Sequence, residues 1–268
     1  MTPETLRYAM KTSYQADAGR LRKSECEVWE EAESRIPTNS SIFTQIVAIH
    51  FELLLQAHNR NPESKNSRFE RAMRLMAARC AHILRGMWIS AMAGYPGTVQ
   101  PLARALYETS LTMYYLRNFP GDFGPWIKKD KSSDEQKRFW PSEMTSRMKA
   151  PEIERQIYSG LAEAAHPNPP ALSRLAAYDA AGDALEISVG QVLSQEEARR
   201  ISAEICLFAA LSTYNVARTV KDALVDGLPN DEQLQELLGR LKGLTDLLEK
   251  DAVRGTTVFD MFAKRVRR

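Results

Sequence analysis

The sequence predicts an all-α protein, a bundle of about seven or eight helices forming one domain over residues 1–268. Three observations predict it. Apolar residues recur at helical spacing along most of the chain, helix starts and stops punctuate it, and alternation of the kind a strand needs is confined to two short stretches.

Thr2-Pro3-Glu4 is a helix start, with a hydroxyl cap, proline in the first turn and a carboxylate near the positive dipole end. Its helix is expected to run to about Arg35, where Ile36-Pro37 stops it. Asn39 or Ser40 is the expected cap of a second helix, Ser41 to about His58. Ile42, Phe43, Ile46, Val47, Ile49, Phe51, Leu53, Leu54 and Leu55 surround that helix on nearly every side, the mark of a buried one. A third helix follows from about Ser67 to Ala93, then a turn at Gly94-Tyr95-Pro96-Gly97, then a fourth helix, Thr98 to Asn118. The stretch Asp122 to Ala150 is polar and broken by Pro125 and Pro141, an excursion with short helices rather than a boundary. Pro151 opens a helix that ends at His166, before Pro167-Asn168-Pro169-Pro170. Ser194-Gln195-Glu196-Glu197 is a capping box starting a long helix to about Val225, and Asn230 caps a last one, Asp231 to Lys250. Leu185, Ile187 and Val189 alternate with Glu186, Ser188 and Gly190, and Thr256-Thr257-Val258-Phe259 is the other β-branched stretch. A small two-stranded patch joining the two is expected.

Bulk properties bound the function. At 44% hydrophobic and 26% charged residues the composition is that of a globular protein. A formal charge of +2 supports neither nucleic-acid nor membrane binding as a whole-molecule property, so any electrostatic argument must be local. Cys26, Cys80 and Cys206 are odd in number and far apart, which fits neither a disulfide framework nor a structural zinc site. The N-terminal stretch has no apolar signal region, and Arg85 and Glu204 interrupt the two most apolar runs; a cytoplasmic protein without a membrane partner is expected. No phosphate-binding glycine loop, nucleophile elbow or dinucleotide fingerprint occurs, so no cofactor is expected.

The polar residues on apolar helices carry the functional interest. Arg104 and Glu108 lie four residues apart on the otherwise greasy fourth helix and face the same way. Buried ions are costly unless paired, so these two are expected to meet each other or close partners. Tyr158, Glu163 and His166 share one side of the later helix; His50, Glu52 and Glu204 are further interruptions of apolar faces. Three readings fit this set. The groups could be satisfied core polar residues that fix helix register. They could form an acid/base or phosphodiester-cleaving site, with His166 as general acid or base, Arg104 as anion stabiliser, and Glu108 and Tyr158 as orienting groups. Glu163-Ala164-Ala165-His166 also has the Glu-x-x-His spacing of helical di-iron proteins, but those need a second such motif, and none occurs here. No metal is expected.

A second constellation is basic. From Arg71 through Tyr107 there is no Asp or Glu. Arg68, Arg71, Arg74, Arg79, His82 and Arg85 fall within an arc of about 140° on the third helix, opposite the apolar side. Such a face can hold phosphates, with RNA the expected ligand. It can equally pair with Glu25, Glu27, Glu30, Glu31 and Glu33 of the first helix.

Leu102-Ala103-Arg104-Ala105-Leu106-Tyr107-Glu108, followed by the later Tyr158 to His166-Pro167 segment, resembles a family of uncharacterised bacterial helical proteins, over roughly Arg68 to Asn215. There is a looser likeness to HEPN-type ribonucleases of toxin–antitoxin and phage-defence systems, whose signature is Arg, four to six residues, then His on one helix. This chain departs from that signature: Arg155 lies eleven residues before His166 and Arg79 three before His82. The resemblance implies a defence- or toxin-like bacterial protein acting on RNA, with Arg104, Glu108, Tyr158 and His166 at the matching positions. The alternative is a non-catalytic scaffold or partner-binding module that self-associates through its amphipathic terminal helices.

Overall fold

Proline at position 37 both ends one helix and begins the next. The computed structural model describes residues 19–20, 22–23, 25–59, 67–130, 132–149, 176–178, 185–187, 194–224 and 232–251. Helix α1 is continuous over residues 25–35, Ile36 alone interrupts, and α2 spans Pro37–Asn59. Proline suits a first helical position, where the missing N–H has no partner to lose and φ is already set. The expected cap at Asn39 or Ser40 is therefore corrected: α2 starts four residues before the expected Ser41. Asn39 is instead buried, its Nδ2 donating to Ser202 Oγ at 2.7 Å and to the Arg199 carbonyl at 3.3 Å.

Helix α3 spans Arg68–Met92 and starts where Ser67 Oγ accepts the Glu70 amide. It ends in a Schellman motif. Gly94 takes φ 86°, its amide donates to the Ala91 carbonyl, and the Tyr95 amide donates to the Ser90 carbonyl. A 3₁₀ turn at Pro96–Thr98 leads into α4, Val99–Asn118. The excursion holds α5 (Phe123–Ile127), α6 (Ser133–Lys137) and α7 (Pro141–Arg147), with a full capping box of Ser132 and Glu135 at α6. Strands β1 (Ala176–Tyr178) and β2 (Leu185–Ile187) pair antiparallel, Ala177 opposite Glu186. Helices α8 (Gln195–Leu224) and α9 (Glu232–Asp251) follow. Among the described residues the strand expected at 185–187 pairs with β1, which precedes it in the chain. Residues 256–259, and the helix expected from Pro151 to His166, lie outside the described residues.

The four long helices α2, α3, α4 and α8 pack on one another, and α9 packs against α8 and α2. Phe43 of α2 and Trp88 of α3 stack face to face at the centre, centroids 4.3 Å apart and planes 7° apart. Helix α4 is interior as its sequence implied: Pro101 and Asn118 are its only exposed residues. Helix α2 departs from the expectation of burial on every side. Its Phe51 and Leu55 are 50% and 61% exposed, one turn apart, because α2 packs on the bundle with one side only.

His50 joins three helices. It is fully buried on α2, with Nε2–H donating to the Ala77 carbonyl of α3 at 3.0 Å and Nδ1 accepting from the Thr213 hydroxyl of α8 at 3.1 Å. Both ring nitrogens are satisfied in the neutral form, and burial pushes its pKa below the usual imidazole value despite the opposing carbonyl contact.

Candidate anion-binding face and the polar groups of α4

The basic face survives folding as a free surface. Arg68, Arg71, Arg79, His82 and Arg85 are exposed, and Arg74 is half-buried at the margin. On the opposite side Met73, Met76, Ala77, Cys80, Ala81, Leu84, Met87 and Trp88 are buried, so the helix divides as its periodicity requires. Leu75, 71% exposed, and Ile89, 43% exposed, lie on the arginine side.

The acids of α1 do not neutralise these arginines. Glu25 accepts the Tyr95 hydroxyl at 2.6 Å, Glu27 pairs with Lys23 at 3.7 Å, and Glu31 pairs with Arg35. Within α3 itself, Glu70 faces Arg117 of α4 at 3.9 Å. The acids of α1 named here have partners on their own helix or at the turn after α3, and Glu70 has its partner on α4. Among the described residues Arg68, Arg71, Arg74, Arg79 and Arg85 make no ion pair. Among the described residues, helix-to-helix pairing therefore does not account for the face, and five like charges stand along one helix.

Arg104 and Glu108 do meet. Nε of Arg104 donates to Oε1 of Glu108 at 2.8 Å, and the two side chains are 27% and 38% exposed. The pair is neither sealed in the core nor fully solvated. Its position relative to the arginine face is defined by Leu102, which reaches the backbone of α3 at Gly86. Arg104 lies about 200° further round α4 and so leaves that helix on the side away from this contact. Tyr158, His166 and Glu163 lie outside the described residues. Glu204, the lone acid of α8's apolar stretch, pairs with Arg200 at 3.6 Å, and Glu52 meets Arg240 at 3.4 Å.

The strongest polar cluster was not singled out in the sequence. Asp122, in the turn after α4, is 5% exposed. Its carboxylate accepts the Tyr115 hydroxyl, Nε of Arg138 at 3.0 Å and Nη1 of Arg147 at 2.6 Å, with a second Arg138 nitrogen completing a bidentate pair. The Arg147 guanidinium also lies over the rings of Tyr115 and Phe119, at 5.3 and 4.8 Å from their centroids. One carboxylate thus ties α4, the chain after α6, and α7 together. With Met144 buried below it, it pins the 122–149 stretch to the bundle. The carboxylate and the Tyr115 phenol are both buried and engaged, so the cluster serves as a fastening between these segments.

Among the described residues no group of three or more His, Cys, Asp or Glu side chains is placed to hold a metal, and no helix is long and apolar enough to cross a membrane. Cys80 and Cys206 are buried, as their apolar neighbours implied, while Cys26 is exposed. Burial pushes the Cys80 thiol up to about 11 against the opposing Ser212 hydroxyl and Arg79 charge, and raises Cys206 further.

Fold and surface together define an all-α bundle with an exposed arginine face on α3 and a half-exposed Arg–Glu pair on α4. A scan against protein-family models finds no match, and comparisons with curated proteins and with solved structures find none either.

Proposed function

We propose that this protein binds RNA through the exposed face of α3 and acts on it with Arg104, Glu108, Tyr158 and His166. The observation that carries the reading is the set of five α3 arginines without an ion-pair partner among the described residues, four of them in a stretch of chain that holds no acid from Arg71 to Tyr107. Clustered guanidiniums on a rigid element attract phosphates and release counterions on binding. Removing the five leaves the remainder of a +2 chain at a formal −3, so the affinity is directed to one side of the molecule. The chemistry assigned to the second set is phosphodiester cleavage. In that scheme His166 transfers the proton, Arg104 stabilises the developing anionic phosphate, and Glu108 holds the guanidinium in place, the contact at 2.8 Å supporting that last role. A bacterial toxin- or defence-like role is part of the same proposal.

Fluorescence anisotropy with labelled RNA tests the binding step. Arg71→Glu together with Arg79→Glu is expected to weaken binding by more than tenfold with the melting temperature retained; equal binding by wild type and variant would remove the reading. Cleavage is tested separately: His166→Ala is expected to abolish product formation while RNA is still bound, and a wild-type protein that binds without cleaving would remove the catalytic part alone.

Phe51 and Leu55 favour a second reading, a partner-binding module, because exposed apolar side chains one turn apart on a helix suit a protein contact. Light scattering across a range of concentrations distinguishes it: mass growth abolished by Phe51→Ser/Leu55→Ser supports self-association, and a constant monomer mass opposes it.

A further inference from the structure

We propose that α3 lies along a groove of double-stranded RNA with four of its arginines in two rows, Arg68 and Arg79 on the phosphates of one strand and Arg74 and Arg85 on those of the other. The inference rests on the RNA reading above and specifies which form of RNA the face fits.

The argument is geometric. Measured from Arg68 at 100° per residue, Arg79 lies at about 20°, while Arg74 and Arg85 lie at about 240° and 260°. Arg71 and His82 fall between them, at about 300° and 320°, with Leu75 and Ile89 in the same central band. Four of the five arginines therefore occupy two margins of the exposed arc, with Arg71 between them. On a rod of about 10–12 Å diameter, margins about 120° apart stand about 10 Å from each other, and Arg68 to Arg85 extends for about 26 Å along the axis. A single strand offers one phosphate row; a duplex groove offers two facing rows. The minor groove of an RNA duplex is wide and shallow and is recognised through shape and backbone, which suits a convex helix whose one acid, Glu70, is turned to Arg117 of α4.

The uncharged residues on the face point the same way. Proteins that hold single strands use concave grooves with aromatic side chains on which bases stack. The exposed side of α3 is convex, and its large apolar members are Leu75 and Ile89 rather than rings. It can contact a regular backbone but supplies no stacking platform.

The test compares a 20-base-pair RNA duplex with a 20-nucleotide oligouridine at equal nucleotide concentration and salt. The duplex is expected to bind at least tenfold tighter. Arg68→Ala/Arg79→Ala and Arg74→Ala/Arg85→Ala, each removing one row, are both expected to weaken duplex binding by at least tenfold, with circular dichroism unchanged. Equal or tighter binding of oligouridine would overturn this inference and leave the RNA reading standing; binding of neither would remove both. Polyglutamate at matched charge should fail to displace the duplex, and efficient displacement would instead mark a site for acidic protein segments.

Discussion

Replacing Asp122 with asparagine keeps the side-chain shape and removes the charge that two guanidiniums and a phenol share. Breaking a buried ion pair by neutralising one partner costs about 3–5 kcal/mol when the other charge stays trapped. Here the arginine side chains are 42% and 34% exposed, so both can turn towards water and recover part of that cost. What cannot relax is the Tyr115 hydroxyl, on a fully buried ring, and an amide now presenting N–H groups to cations. An unsatisfied buried polar group costs about 1–3 kcal/mol. The expected destabilisation of Asp122→Asn is thus about 2–3 kcal/mol, or about 5–10 °C in Tm for a chain of this size. Urea unfolding followed by circular dichroism measures it. Adding Tyr115→Phe closes a double-mutant cycle, in which a coupling of at least about 0.5 kcal/mol is expected because the two groups touch. Asp122→Asn within about 0.5 kcal/mol of wild type would refute the claim that this carboxylate fastens the 122–149 stretch.

Three other outcomes are expected. His50 is neutral in the fold with its pKa lowered, whereas an unfolded histidine titrates near 6.5, so its contribution is fully present above about pH 6.5 and is lost as pH falls towards the folded value. Denaturant midpoints between pH 7.5 and 5 should therefore drop in wild type and drop less in His50→Gln; parallel curves would contradict this. A thiol reagent should label Cys26 in the native protein and all three cysteines in denaturant, and fast native labelling of Cys80 or Cys206 would show that α8 and α3 open. Phe43→Ala, which removes the ring stacked on Trp88, should cost about 3–5 kcal/mol by equilibrium unfolding, a value below about 1 kcal/mol arguing against that packing.

The fold class and the long helices were legible because amphipathic periodicity over about 20 residues leaves few alternatives. Ser67, Gly94 and Ser194 marked real boundaries through local backbone chemistry, which short-range sequence encodes. The start of α2 was misplaced because proline stops a preceding helix and opens a following one with equal ease. The burial of α2 was overstated because periodicity registers apolar side chains and not what covers them, and Phe51 and Leu55 stay exposed. The Asp122 cluster was hidden for a different reason. Apart from Tyr115 of α4, its members come from a turn, a helix end and the seven-residue α7, where no period can form, and Asp122 and Arg147 are 25 positions apart. The Arg104–Glu108 pair was readable at once, since spacing of four on a helix dictates the contact. The two fates open to the α3 arginines could not be separated in advance, because pairing across helices depends on packing angles that local sequence does not carry.

The salt dependence of RNA-duplex binding tests the account most directly. Five arginine–phosphate contacts, each contributing about −0.9, predict a slope of log K against log salt of about −4.5. That is about a 500-fold loss of affinity between 50 and 200 mM. Removing two arginines by Arg71→Ala/Arg79→Ala should lower the slope to about −2.7. A wild-type slope near zero, or one that the double variant leaves unchanged, would contradict an α3 arginine face that holds RNA.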